Sequence, residues 1–371
     1  MIKKKRLVDL FMELVTIDSE TKKERKMADQ LKTELENLGL EVHEDNAGEN
    51  IGGNAGNVIG VLKGKVDTPS LLLCAHMDRV SPGKGIEPVL KDGVITSKGD
   101  TVLAADDIAG VAAILEALWV IKENNLEHGE IKVLFTVAEE GGLHGVKNVN
   151  PEEIRADYGF CYDSSGDVGT IVVQGPAQYR FEAIVKGKAA HAGINPSAGI
   201  NAIKVASLAI SEMKLGQIDE ETTANIGVIK GGQATNIVPD RVELLGEARS
   251  RNRKKLEAQV AHMRDILERA AAKFGAEVEI NTQLMYPSFF FSEEDPVVII
   301  AKEAAKSIGI ETNLVPSGGG SDANILNGYG IPTINLGIGM EKVHSTEEFI
   351  TVENLVKAAE YTVAIIQMVT K

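Results

Sequence analysis

The run Leu71-Leu72-Leu73-Cys74-Ala75-His76-Met77-Asp78 narrows the folds open to this chain more than any other stretch. A short, wholly apolar segment reads as a strand covered on both faces, as in parallel sheets flanked by helices. In open α/β sheets ligands gather at the carboxyl ends of such strands, and this run stops abruptly at His-x-Asp. His76 and Asp78 stand two residues apart, so on an extended strand end their side chains point the same way. An imidazole and a carboxylate so placed share a metal ion, or one binds it while the other orients its partner.

The pattern recurs. Ile131 to Ala138 is a strand-like run that ends in Glu139-Glu140-Gly141-Gly142, and Tyr158-Gly159-Phe160-Cys161-Tyr162 ends in Asp163. Adjacent carboxylates repel unless a cation sits beside them; the alternative is a solvated loop, an unusual terminus for a fully apolar strand. Leu103-Ala104-Ala105-Asp106-Asp107-Ile108-Ala109-Gly110 opens a helix to about Glu123. Aspartate is also a favoured helix N-cap, but one acid suffices for capping and the second is left for other work. Three apolar runs ending in acids or histidine, alternating with helices, predict a polar site at one sheet edge.

Further along, helical periodicity covers residues 3–17 and 24–38, with Gly39 as a C-terminal stop. A Gly/Asn-rich segment from Asn46 to Asn57 leads into a strand at 58–62. After about residue 176 the character changes: strand 179–185, His191 in a loop, helix 200–213, strands 224–229 and 241–248, helix 254–272 and strand 277–282. That βα-ββ-αβ order marks a small ferredoxin-like domain. Near Asp295 the first character returns, with helix 296–308, Gly318-Gly319-Gly320-Ser321-Asp322-Ala323, strand 333–336, His344 and a closing helix from Val352. The expected organisation is one domain of 1–176 and 288–371 interrupted by another of 177–287.

Composition removes several classes. A net charge of −15 and a pI near 5.1 oppose nucleic-acid binding, which needs a basic surface. The basic N-terminus resembles a leader, but Asp9 and Glu13 interrupt its apolar stretch and make an amphipathic helix the better reading. No run reaches the ~20 apolar residues that span a bilayer. Cys74 and Cys161 sit in apolar runs, as buried free thiols of a cytoplasmic protein do. The Gly318–Ser321 run lacks a P-loop ending, so close backbone approach to a substrate is its better use.

Taken together, His76-x-Asp78, Asp106 in Ala-Ala-Asp-Asp, Glu139-Glu140, Asp163 and His344 resemble the dinuclear zinc site of the peptidase T, carboxypeptidase G and aminoacylase family. Within it the Ala-Asp-Asp and Gly-Gly-Gly-Ser-Asp-Ala-Asn segments look most like peptidase T. The resemblance implies an α/β catalytic domain with a mixed, mostly parallel sheet flanked by helices, and an inserted ferredoxin-like α+β lid. It implies two Zn²⁺ per subunit, with Co²⁺ or Mn²⁺ also accepted: Asp106 bridging, His76 and Asp163 completing one site, Glu140 and His344 the other. Asp78 would orient His76, and Glu139 would be the base acting on a metal-bridging water. His191 would stabilise the oxyanion, Asn236 and Arg249 would hold substrate, and Gly319, Gly320 and Ser321 would lie below it. The implied activity is an aminopeptidase for short peptides in a homodimer. Alternatives are a deacylase or carboxypeptidase of the same family acting on N-acyl amino acids, or a non-catalytic metal- or peptide-binding relative. Two positions depart from peptidase T: Arg79 replaces the usual Thr and Ile108 the usual Lys, and the chain is somewhat shorter.

Overall fold

A computed structural model describes residues 1–370. The apolar runs become the centre of a nine-stranded mixed sheet. Its order is 41–44, 58–62, 131–136, 71–76, 158–164, 333–337, 170–175 and 289–290, with 313–316 beside 170–175. Leu71–His76 runs parallel to both Ile131–Thr136 and Tyr158–Ser164, in a register that sets His76 opposite Thr136 and Cys74 opposite Cys161. Thr333–Gly337 continues the parallel block beside Tyr158–Ser164. Parallel pairing carries a functional consequence: the ends of neighbouring strands, where histidine and acids follow the apolar runs, lie along a single edge of the sheet.

Helix Ala105–Glu123 packs on this sheet and is buried nearly all round. Helices Lys4–Thr16 and Val352–Val369 lie against it. The Gly/Asn-rich segment is more ordered than its composition suggests, for Ala47–Ile51 is a short helix. Asp45 holds that turn by accepting from the N–H groups of Ala47 and Asn57. Gly56 passes so close to the Asp45 carbonyl that a Cβ would sit 1.9 Å from it. A second small sheet, 340–341, 349–351, 94–97 and 88–91, also forms. Its strands are too short and too glycine-punctuated for periodicity to reveal. No helix among the described residues is long and apolar enough to cross a membrane.

The chain divides into two compact units. One comprises Met1–Val173, Phe290–Pro316 and the residues from Ser321 onward; the other comprises Gln174–Phe289 and Ser317–Gly320. In the second unit an antiparallel sheet has the order 216–217, 222–231, 241–250, 177–186 and 277–286. Its four long strands follow the ferredoxin-like order, and helices Ala202–Glu212 and Arg253–Phe274 close a separate core around Phe181, Val185, Leu244, Leu256 and Met263.

Arg79, three residues beyond His76 at the end of its strand, is almost completely buried. Its guanidinium donates to the carbonyls of Val15 (2.8 Å) and Ile17 (2.6 Å) and to the Ser19 hydroxyl (3.1 Å). These carbonyls lie where the Lys4–Thr16 helix ends and its own ladder leaves acceptors open, a place that favours a cation. Burial lowers the Arg79 pKa to about 10, which leaves it charged at neutral pH. Arg79→Met should therefore strand two buried carbonyls, each costing about 1–3 kcal/mol. Urea unfolding should show a loss of about 3 kcal/mol with an unchanged slope. A loss below about 1 kcal/mol would mean that Arg79 does not anchor this helix end.

Candidate active site

Five backbone segments deliver the polar side chains. His76 is the last residue of its strand and is buried. Asp163 lies near the end of Tyr158–Ser164, where Asn335 clasps its backbone: the Asn335 Oδ1 accepts from Asp163 N–H at 2.9 Å, and Nδ2 donates to Asp163 O at 2.6 Å. Glu139 and Glu140 follow Ala138, which has φ of +49°. Asp106 follows Ala104, at φ +61°, and the first residues of its helix are not helical: Asp106 has ψ 103° and the Asp106–Asp107 peptide is cis. His344 itself has φ of +61°. Left-handed conformations at non-glycine residues are uncommon and cluster where the surrounding structure fixes them for function.

Asp106 is the meeting point. Its Oδ1 lies 3.0 Å from His76 Nε2 and its Oδ2 lies 3.2 Å from His344 Nε2. His344 Nε2 is also 2.8 Å from Glu140 Oε1. The ligand atoms of His76, Asp106 and Glu140 lie within 4.8 Å of one another, as do those of His76, Glu139 and Asp163. The neighbouring Asp107 turns away, accepting from the His76 backbone N–H at 3.2 Å. Of the Asp-Asp pair, then, Asp106 faces the imidazoles and Asp107 braces the strand.

The electrostatics demand positive charge. Burial and the neighbouring Asp163 push the Glu139 carboxyl well up, and burial and Asp106 do the same to Asp163. Hydrogen bonds to the Asp106 and Glu140 carboxylates raise His344 to about 10. Burial opposes charge on both His76 and Asp106; on His76 it is outweighed by the bond to Asp106 and the charges of Glu139 and Asp163, which raise it, and on Asp106 by the bonds from His344 and His76, which lower it. The two imidazoles are the groups that stand closest to these carboxylates as counter-charges. A divalent cation is a better counter-charge, and the donor set suits it: two imidazole nitrogens and several carboxylates, typical of zinc, cobalt or manganese. Ligands on one tetrahedral zinc lie roughly 3.3 Å apart, close to the 2.8–3.2 Å separations about Asp106 and His344. The residues fit metal binding.

Asp78 is completely buried, and its carboxylate serves the glutamate turn. Oδ1 accepts from Glu139 N–H at 2.9 Å, and Oδ2 from Glu140 N–H at 3.3 Å and from the Thr21 hydroxyl at 2.8 Å. Toward His76 Nδ1, the nearer partner is the Asp78 backbone carbonyl at 3.0 Å, with the carboxylate at 3.6 Å. Glu24 accepts from Ala138 N–H at 3.0 Å and Lys22 N–H at 2.7 Å. Thr21, Glu24, Asn335 and Glu348 escaped the sequence reading, because an isolated polar residue carries no periodicity. Only the position of Glu348, four residues after His344, offered a signal.

The other sequence candidates divide between the units. In the second, His191 forms a bridge with Ile237, and the Ala192 N–H donates to Asn236 O at 2.9 Å, so the His191 and Asn236 segments lie side by side. His191 Nδ1 accepts from the N–H groups of Gly193 and Ile194, both at 3.2 Å, which places the ring proton on Nε2. Arg249 is engaged by Glu247, with Nε to Oε1 at 2.8 Å and Nη2 to Oε2 at 3.0 Å. Gly319 is open, whereas Gly320 lies against the Tyr286 ring, where a Cβ would come within 2.3 Å. In the first unit, Ser321 is buried and forms a capping box with Asn324 at the start of helix Asp322–Gly328.

Comparison with known proteins points to one peptidase family. The model of peptidase family M20/M25/M40 matches residues 72–368. The chain is 49% identical to the aminopeptidase PepT of Bacillus cereus, whose crystal structure superposes with a TM-score of 0.92 over 100% of both chains. It is 45% identical to a tripeptidase of Staphylococcus aureus, at a TM-score of 0.95 over 100% of this chain and 99% of that one. Peptidase T of Geobacillus thermodenitrificans is 32% identical over 279 residues, 74% of this chain and 67% of that protein.

Burial raises the Glu24 carboxyl from 4.5 to about 7. Between these values the folded chain keeps a proton that the unfolded chain has released, so stability falls as pH rises through the window. The loss is at most about 3 kcal/mol. Glu24→Gln should remove this contribution. Urea unfolding of wild type and variant at about pH 5 and pH 7.5 should show a flatter dependence in the variant; equal slopes would mean that Glu24 ionises as freely folded as unfolded.

Proposed function

From the premise that the chain belongs to peptidase family M20/M25/M40 and is a metal-dependent exopeptidase, we propose that it releases the N-terminal residue of short peptides, tripeptides among them. The observation that carries the reading is Asp106, one carboxylate facing two imidazoles at a strand edge where Glu139 and Glu140 also arrive. We assign Asp106 to both of two metal ions, most simply zinc, with His76 and Asp163 on one and Glu140 and His344 on the other. When bound, the ions supply Lewis acidity for the peptide carbonyl and acidify a water molecule.

The remaining work falls to the chain. Glu139 is buried beside Asp163, which together with burial raises its carboxyl well above the usual glutamate range, and its place among the candidate ligands suits a group that takes a proton from the attacking water and passes it to the leaving amine. Asp78 fixes this base through the backbone of the glutamate turn. His191, with its proton on Nε2, is suited to donate to the oxyanion. The Asn236 amide and the Arg249 guanidinium suit the peptide backbone and its terminal carboxylate. We read the first unit as catalytic and the second as the lid.

Three outcomes follow. Chelation should abolish activity, and added zinc or cobalt should restore it; full activity in verified metal-free protein would sink the metal reading. Glu139→Gln keeps shape but removes basicity, so kcat should drop by at least ~10²–10⁴-fold with both ions retained, while Glu140→Gln should lose metal. The reverse pattern in metal analysis would exchange the two roles. Finally, a screen of di- and tripeptides should show cleavage of free-amine substrates and little of their acetylated forms. Preference for the acetylated set would favour the deacylase alternative.

A further inference from the structure

We infer that Glu348 is a positioning residue that sets the shared carboxylate, Asp106, against His344, and that it governs the affinity of one metal site more than the other. The inference rests on the dinuclear reading above.

Asp106 can face two imidazoles only because the backbone leading to it is not helical. Ala104 is left-handed, and Asp106 is extended at φ −81°, ψ 103°. The N–H groups of this stretch need acceptors from elsewhere, and one side chain provides them. Glu348 Oε2 accepts from Leu103 N–H and Ala104 N–H, both at 2.8 Å, and Oε1 accepts from Asp106 N–H at 3.0 Å. The residue is 2% exposed, so these donors take the place of water. Three bonds to one carboxylate over-determine a strained segment, the condition under which such a conformation persists.

The other end of Glu348 belongs to the His344 segment. Its N–H donates to Ser345 O at 3.2 Å, closing the turn that begins one residue after His344. His344 is left-handed, and half of its side chain is exposed. Glu348 therefore ties the strained turn of one ligand to the strained turn of another, and the loop closes where Asp106 Oδ2 and His344 Nε2 stand 3.2 Å apart. His76 and Asp163 have independent support from neighbouring sheet strands, the latter clasped by Asn335. Loosening Glu348 should thus weaken most the site that Asp106 forms with Glu140 and His344, and weaken less the ion at His76 and Asp163, which shares Asp106 but keeps two ligands carried by sheet strands.

The test is zinc titration of metal-stripped full-length protein against a chromophoric chelator, for wild type, Glu348→Gln and Glu348→Asp. Glu348→Gln keeps the shape but turns an NH₂ toward backbone donors; Glu348→Asp keeps the charge but falls a methylene short. Thermal unfolding of the metal-free chains is measured in parallel. Wild type should bind two ions. In the variants one ion should bind 10–100-fold more weakly, the range for losing a group that holds a ligand, and the other should lose clearly less. The kcat should recover with excess zinc while KM stays unchanged. Unchanged affinity for both ions, equal weakening of both, or failure of both variants to fold would overturn the inference. Fewer than two ions in wild type would instead overturn the dinuclear reading and the inference with it.

Discussion

Crowding carboxylates at the mouth of a parallel sheet is costly, and the rest of this structure is arranged around that cost. His76, Asp106, Glu139, Glu140, Asp163 and His344 converge from separate segments, and low-dielectric surroundings amplify the repulsion among the acids. Two things offset it. Cations offset it directly, and Asp106 between two imidazoles shows the geometry in which they would do so. Fixed backbone dipoles offset it indirectly, by giving the non-ligand acids nearby enough N–H donors to remain in place.

That second device recurs. Asp78 takes the N–H groups of Glu139 and Glu140, Glu24 that of Ala138, and Glu348 those of Leu103, Ala104 and Asp106. Each is a buried acid that touches the backbone of a segment carrying a proposed metal ligand. Ala104 and Ala138, both left-handed, fall within the segments so held. Side chains at such turns are aimed by their backbone, so an acid that fixes the backbone aims the ligand without contacting the ion. Supporting carboxylates are in this sense part of the same electrostatic arrangement as the ligands.

This explains what was legible in the sequence. Apolar runs ending in His-x-Asp, Glu-Glu and Asp could be read because burial on both faces and abrupt polar termination are local properties. The βα-ββ-αβ order of residues 177–286 could be read for the same reason. What local pattern could not supply was the division of labour within each acidic pair. Asp106 and Asp107 are chemically alike, and only the turn set by Glu348 sends one to the imidazoles and the other to the His76 N–H. Asp78 is the sharper case: spacing placed it beside His76, but its carboxylate finds nearer donors 61 and 62 residues away.

The two positions that depart from peptidase T can be weighed on the same terms. Arg79 follows Asp78, yet its guanidinium points into the first unit and caps the end of the N-terminal helix through Val15 and Ile17. Ile108 is wholly buried in the apolar core behind the Asp106 turn. Both side chains stiffen segments that carry proposed ligands: Arg79 by joining the strand end to a helix, Ile108 by packing the first regular turn after Asp107. A lysine at 108 would need a counter-charge or a path to water that this packing does not provide. Both residues therefore belong to the scaffold behind the segments of the proposed metal site, and the residues proposed to meet the substrate, His191, Asn236 and the Glu247-engaged Arg249, are the better places to look for differences in preference.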